Sequence, residues 1–215
     1  MTNRQTMLDR IRAAVAAGNA DTAPGPIPRR YHVTGPNEPG STEVIELLID
    51  RLLDYKAEVD QCVPADVAAK VAAMLRGAAT VVIPPELGDD VQAGCQQSGA
   101  VVATDGNPEA LTPTALDRVE VVVTAARVAI AVTGTIILDA APDQGRRAIS
   151  LVPDRHIIVL RANQVVGTVP EGLTHLNPTA PLTLISGPFA TSDIELERVE
   201  GVHGPRTLQV LIVGR

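Results

Sequence analysis

Four short segments of the sequence carry the polar and charged residues from which a binding site could be built. The first is Thr133-Gly134-Thr135, whose hydroxyl and backbone N–H groups are donors for an anion. It matches neither a dinucleotide-binding GxGxxG loop nor a Walker A loop, so nucleotide binding has no specific support. A hairpin turn in which Gly134 supplies a positive φ explains the same residues. We retain all three residues as candidates for substrate binding.

Paired arginines define the second segment, Gln144-Gly145-Arg146-Arg147, which we expect just before a strand. Arginines in this position hold carboxylate or phosphate groups through bidentate contacts. The alternative is an exposed basic edge that keeps the sheet from pairing with another strand. Arg146 and Arg147 are both predicted to bind substrate.

The third segment, residues 186–195, is the densest in polar groups and follows an apolar strand. Ligands of open α/β sheets bind at such strand ends. Ser192-Asp193-Ile194-Glu195 fits a capping box that would begin a helix, and a cap without a ligand is the alternative. Gly187, Ser192 and Asp193 are the candidates in this segment.

The fourth segment is Gly201-Val202-His203-Gly204-Pro205-Arg206, in which His203 and Arg206 are candidates. A lone histidine is as often structural as functional, and no nucleophile elbow is present. Loops at strand ends of an α/β sheet collect on one side. We therefore predict that Ser192, Asp193, His203 and Arg206 converge near the Gly134 turn.

The elements that must position these segments follow the pattern of a parallel sheet. Strands Thr80–Ile83 and Ala100–Ala103 are nearly continuous apolar runs, separated by a helix over residues 86–97. Short apolar runs follow, of which Ala125–Val132 is either helical or extended. Strands Leu182–Ser186 and Leu208–Val213 end the chain. We predict one mixed α/β domain over residues 41–215, with a mainly parallel sheet and helices on both faces.

The first 40 residues have a different composition from the rest. Residues 2–17 predict a short amphipathic helix with Met7, Ile11 and Val15 on one face. Residues 18–40 contain five prolines and three glycines besides Gly18, which favours a linker over an arm that wraps a partner subunit. The predicted organisation is therefore an N-terminal helix and arm over 1–40, followed by the α/β domain.

Composition excludes several classes of function. The chain of 215 residues has a net charge of −7 and only three aromatic residues, which argues against binding to nucleic acid or to anionic membranes. Cys62 and Cys95 cannot supply the four thiolates of an iron–sulfur cluster, and the histidine spacing fits no zinc site. No apolar run reaches the length of a membrane span and no secretory signal is recognisable, so we expect a cytoplasmic protein without membrane insertion.

Residues 186–195 and 201–206 together resemble the C-terminal signature of the lactate utilization protein C family, the LUD-domain proteins. Residues 130–136, and the stretch from Gly145-Arg146-Arg147 through 156–159, fit the same family. The resemblance covers roughly residues 40–215. It implies an α/β fold similar to the ribose-5-phosphate isomerase and CoA-transferase superfamily. It also implies action with two iron–sulfur partner proteins in the oxidation of L-lactate to pyruvate.

Three positions depart from the family pattern: Val132 replaces a glutamate, Arg127 an aspartate, and Phe189 a serine. A general-base role for that glutamate cannot operate here. The resemblance implies a subunit without a cluster of its own, which binds a small anionic metabolite or docks the cluster-bearing subunits. The three departures favour instead an interaction or regulatory protein with a degenerate pocket. A stand-alone isomerase or CoA-transferase-like enzyme is the third hypothesis.

Overall fold

The computed structural model describes residues 3–18, 25, 34–188, 190–191, 199–200 and 204–214. The chain divides into two units, Met1–Tyr31 and His32–Arg215. In the first unit, the helix α1 (Asn3–Gly18) has no buried residue. It coincides closely with the predicted helix.

The first half of the second unit alternates helices and strands. Its elements are α2 (Thr42–Asp54), β1 (Glu58–Cys62), α3 (Val67–Met74), β2 (Thr80–Ile83), α4 (Asp89–Gln97) and β3 (Val101–Thr104). A short 3-10 turn that begins at Pro64 leads into α3. α4 begins at Asp89, three residues later than predicted, and the backbone N–H of Glu86 donates to the carbonyl of Pro142.

The second half contains shorter elements. They are α5 (Pro113–Leu116), β4 (Val121–Ala125), β5 (Val128–Ile130), β6 (Thr135–Leu138), α6 (Arg147–Leu151), β7 (Arg155–Arg161), β8 (Val165–Val166), α7 (Val169–Thr174), β9 (Thr183–Ile185), β10 (Ala190–Thr191), β11 (Val199–Glu200) and β12 (Thr207–Val213). One of them corrects the sequence prediction, because Arg146 and Arg147 stand at the start of the helix α6 and not of a strand. A 3-10 turn over Ala162–Gln164 leads into β8.

A six-stranded sheet organises the second unit, in the order β1-β12-β7-β4-β2-β3. All of its neighbouring strands are parallel. The central strands β4 and β7 are buried along most of their length, as expected for a parallel sheet covered on both faces. The predicted α/β class is thereby confirmed. None of the described helices is both long and apolar enough to cross a membrane.

A second sheet, which the sequence did not predict, has the order β8-β5-β6-β9. β5 pairs antiparallel with β6, and β6 with β9, while β5 and β8 are parallel. The stretch 125–132 therefore contains an extended strand. Its residues Val128, Ala129 and Ile130 are all buried, because the two faces of this sheet pack against different groups of residues.

Two apolar layers cover the large sheet. On one face, Val67 and Val71 of α3 and Val91 of α4 pack against Ile157 and Val159. On the other face, α2 and the inner side of the second sheet pack against Ile158 and Leu160 of β7. The core is aliphatic, as the scarcity of aromatic residues requires.

Residues 34–40 are attached to the second unit through hydrogen bonds. The backbone N–H of Gly35 donates to the Glu171 carboxylate at 2.6 Å, and that of Gly40 donates to the carbonyl of Val165 at 2.8 Å. Glu171 also accepts from the backbone N–H and the hydroxyl of Thr168. Residues 34–40, which the sequence assigned to the arm, therefore belong to the second unit.

Candidate functional site

The Thr133-Gly134-Thr135 segment forms the connection between β5 and β6. Gly134 has φ +60°, and a Cβ atom there would lie 2.7 Å from the Cβ of Arg51 on α2. Both the conformation and the close approach require glycine. The predicted tight turn is therefore present, and it rests against the last turn of α2.

Gly187 lies against the same end of α2. It has φ +129°, and a Cβ atom there would lie 2.8 Å from the carbonyl oxygen of Tyr55. The neighbouring Ser186 hydroxyl lies 2.9 Å from the hydroxyl of Thr135, across the β6–β9 pair. Two of the four predicted segments are therefore in direct contact.

A small cavity brings the fourth segment, which contains Pro205, to the same place. Its volume is about 10 Å³, room for about one water-sized sphere. It is lined by Ser150, His156, Ile185, Gly187, Pro188, Pro205 and Leu208. Pro188 and Pro205, one from each of the last two segments, therefore border the same cavity. Ser192, Asp193 and His203, together with Phe189, lie outside the described residues.

His156 borders this cavity and was not among the predicted site residues. It is 1% exposed, and its Nε2 atom lies 2.8 Å from the Thr124 hydroxyl on β4. Burial lowers the pKa of His156 to about 3. The imidazole is therefore neutral at physiological pH and can both donate and accept one hydrogen bond.

Arg146 is joined to a buried carboxylate. Its Nε and Nη2 atoms donate to the two oxygens of Asp105, which follows β3 and is 5% exposed. Nη2 also donates to the carbonyl of Leu111. Burial alone would raise the pKa of Asp105, but the hydrogen bonds from Arg146 and Leu111 hold it below its usual range. Arg146 thus fixes a loop at the carboxyl edge of the large sheet.

Arg206 forms an ion pair at the amino ends of the parallel strands, opposite the carboxyl ends where Arg146 lies. Its guanidinium donates to both carboxylate oxygens of Asp154, at 3.2 and 2.9 Å. Residues 154 and 206 precede the parallel strands β7 and β12, whereas Asp105 follows β3. Arg206 and Arg146 therefore lie at opposite edges of the sheet and do not share one anion site.

Arg147 differs from both. Its side chain is exposed at the first residue of α6, and within the described part of the chain it has neither a hydrogen bond nor an ion pair. It remains available to a ligand or a partner.

Two of the positions that depart from the family pattern are described. Val132 is 48% exposed, next to the Gly134 turn. The Nε atom of Arg127 donates to the carbonyl of His175 at 2.9 Å and lies 3.6 Å from Asp139. Arg127, which stands where the family pattern has an aspartate, is therefore paired with the carboxylate of Asp139.

Asp139 and Asp143 form a second feature that the sequence reasoning missed. Within the described residues, one oxygen of Asp139 is buried without a hydrogen-bond partner, and the following residue, Ala140, has φ +59°. Burial, and then the nearby charge of Asp139, raises the pKa of Asp143. Among the described residues, no group of three histidines, cysteines or carboxylates could hold a metal ion.

Comparison with known proteins finds one family throughout the second unit. A family model described as the LUD domain matches residues 45–213. A Deinococcus radiodurans protein named lactate utilization protein C is 42% identical over 212 residues, which cover 97% of this chain and 94% of that protein. A protein of the same name from Macrococcus caseolyticus is 31% identical over 106 residues, 45% of each chain. A solved structure of a DUF162 family protein from Deinococcus radiodurans superposes with a TM-score of 0.66 at 37% identity. That match covers 80% of this chain and 97% of the other.

Proposed function

Because the chain belongs to the LUD domain family, we propose that it takes part in lactate utilization. The observation that carries the proposal is the 42% identity, over nearly the whole of both chains, to a protein named lactate utilization protein C. The matched residues 45–213 also contain all four of the segments singled out for chemistry.

We further propose that the chain is a subunit, without a cluster of its own, of a complex that oxidises L-lactate to pyruvate. Oxidation of the hydroxyl carbon to a ketone releases two electrons and two protons, so the reaction needs an electron acceptor. Iron–sulfur clusters require more thiolates than Cys62 and Cys95 provide. Iron–sulfur partner subunits would therefore receive the electrons, while this chain binds the anionic substrate or docks those subunits.

The substrate site we propose is centred on Thr133, Gly134, Thr135 and Gly187. The contact between the Thr135 and Ser186 hydroxyls, and the meeting of Gly187 with Pro205 at one cavity, support this assignment. Arg206 belongs to the same proposal because it is adjacent in sequence to Pro205. Ser192, Asp193 and His203 belong to it because they lie in the sequence between Pro188 and Pro205. Lactate offers a carboxylate and a hydroxyl, and hydroxyl and backbone N–H donors suit both groups.

A role as an interaction or regulatory protein is the second candidate. The observation that favours it is the pairing of three arginines by carboxylates of this chain: Arg127 with Asp139, Arg146 with Asp105, and Arg206 with Asp154. A guanidinium already neutralised by a carboxylate attracts an anion less strongly. In this case docking of the cluster-bearing subunits would be the whole contribution of the chain.

The experiment is reconstitution of the chain with the products of its neighbouring genes. We expect the proteins to co-elute and to oxidise L-lactate, with the activity lost when this chain is omitted. Full activity without the chain would overturn the proposed function.

Calorimetry of the isolated chain with L-lactate separates substrate binding from docking. Thr135→Val should weaken binding at least tenfold, because it removes one hydroxyl of the proposed site. Thr183→Val is the matched control, since Thr183 is equally buried in the same sheet but lies at its far end, opposite Leu138. Absence of any L-lactate binding, combined with co-elution, would favour the docking role.

A further inference from the structure

The charge of the chain is unevenly divided between its two units. Five arginines and two aspartates precede His32, a net charge of +3, whereas 13 basic and 23 acidic residues follow, a net charge of −10. A basic segment attached to a strongly acidic body has complementary charge for the body of another copy of the same chain.

Helix α1 carries an exposed apolar stripe. Met7, Ile11 and Val15 recur every four residues and are 65%, 52% and 56% exposed. Helical spacing places Arg10 and Arg12 on the two sides of this stripe. Arg12 forms an ion pair with Asp9, and both side chains are more than half exposed. The 16 residues of α1 only just exceed the length of about 12–15 below which an isolated helix is marginal in water, and packing of an apolar face is the usual source of helix stability in proteins.

Helix α2 presents a surface of the opposite charge. Its exposed residues Glu43, Glu46, Asp50 and Asp54 are spaced by three or four and therefore lie on one face. Leu53, beside them, is 52% exposed. This acidic face extends about 16 Å at 1.5 Å per residue, slightly longer than the apolar stripe of α1.

We propose that α1 of one copy of the chain packs on the acidic face of α2 in a second copy, and that two copies form a dimer in this way. Reciprocal docking produces two identical contacts and closes the assembly. The sequence between the two helices contains five prolines, which favours a spacer between them.

Helix α1 precedes the residues that match the LUD domain. The family model begins at residue 45, well after α1. The alignment with the Deinococcus radiodurans relative nevertheless covers 97% of the chain, so it includes most of α1. An N-terminal extension is therefore shared with a full-length relative. The proposed dimer is independent of the lactate role, and its test does not depend on that role.

Charge reversal in the full chain tests the proposal by sedimentation velocity over a range of concentrations. We expect the native chain to form a dimer that weakens as salt increases. Arg10→Glu with Arg12→Glu should reduce the association constant at least tenfold, and so should Glu46→Lys with Asp50→Lys. Combining all four substitutions should restore association, because the charges are exchanged. Glu109→Lys with Asp117→Lys, exposed positions elsewhere, should leave it unchanged.

Circular dichroism of each variant shows that a loss of association is not a loss of folding. If the native chain stays monomeric when its concentration is raised 100-fold in the sedimentation experiment, the proposal is overturned, whatever the outcome of the lactate experiments. A dimer that survives reversal in α1, or one that responds to reversal in α1 but not in α2, would also overturn it. A dimer restored by the fourfold exchange is the outcome that supports the contact between these two helices.

Discussion

Arg146 and Asp105 meet at the carboxyl edge of the six-stranded sheet through two hydrogen bonds of 2.7 and 2.9 Å. The carboxylate is almost completely buried, whereas 38% of the arginine side chain is exposed. A planar fork held in this way by its own chain has little capacity left for a ligand. The pair therefore connects the end of β3 to the loop before α6.

Removal of Arg146 should cost stability. Arg146→Ala leaves the Asp105 carboxylate buried without its main partner, so we expect a loss of about 1–3 kcal/mol in the free energy of unfolding. Arg147→Ala is the matched control and should change it by less than about 0.5 kcal/mol, since Arg147 is exposed. Urea titration of both variants measures the difference. If the Arg146→Ala and Arg147→Ala variants are equally stable, the Arg146–Asp105 pair does not stabilise the fold.

Arg206, unlike Arg146, should contribute little to stability. Both members of its pair with Asp154 have side chains that are 64% exposed, so Arg206→Ala should leave the melting temperature nearly unchanged. If Arg206 belongs to the proposed substrate site, the substitution should weaken L-lactate binding by about 1–3 kcal/mol. Calorimetry and melting curves on the same samples distinguish these effects. A large fall in melting temperature with unchanged binding would assign Arg206 to structure.

Glu171 should make stability depend on pH in the acid range. Burial would raise its pKa, but hydrogen bonds from Gly35 and Thr168 lower the pKa below the usual 4.5. The resulting stabilisation is complete above pH 4.5 and is lost as the pH falls through the folded-state pKa. Glu171→Gln should remove this dependence and cost about 1–3 kcal/mol at pH 7. Melting temperatures of both proteins between pH 3 and 7 test this, and parallel curves would contradict it.

His156 should produce a second dependence on pH at higher values. Its pKa falls from 6.5 to about 3 through burial. The unfolded chain takes up a proton below pH 6.5 while the folded chain does not. Stability therefore decreases as the pH falls from 6.5 toward 3, with a slope approaching about 1.4 kcal/mol per pH unit.

The His156→Gln variant should lack most of this slope between pH 6 and 5, which lies above the pKa of Glu171 in both the folded and the unfolded chain. His175→Gln is the control, because His175 is exposed. Denaturant unfolding at several pH values provides the measurement. If both variants keep the native slope, another group is responsible for it.

The parallel sheet could be predicted because its strands are runs of branched apolar residues. Thr80–Ile83 and Leu208–Val213 are recognisable in this way without knowledge of their neighbours. The second sheet could not be predicted as a sheet. Its strand β9 coincides with the predicted strand Leu182–Ser186, but β8 has only two residues, too few to show a period. Pairing between strands distant in sequence depends on tertiary packing, which local patterns do not contain.

The candidate site was predictable only where glycine marks the backbone. The turn at Gly134 and the positive φ of Gly187 agree with the motifs that singled them out. The partners of the arginines were not predictable, because Asp105 and Asp154 lie 41 and 52 positions from Arg146 and Arg206. The contact of His156 with the Thr124 hydroxyl was not predictable for the same reason, since the two residues lie 32 positions apart.

The position of β1 has a consequence for synthesis of the chain. Glu58–Cys62 is hydrogen-bonded within the described sheets to β12 alone, whose residues are 151 positions later. At roughly 5–20 residues per second, the ribosome delivers β12 about 8–30 s after β1. During that interval β1 has no partner strand. Charged residues such as Glu58 and Asp60 on an unpaired strand disfavour its association with other copies.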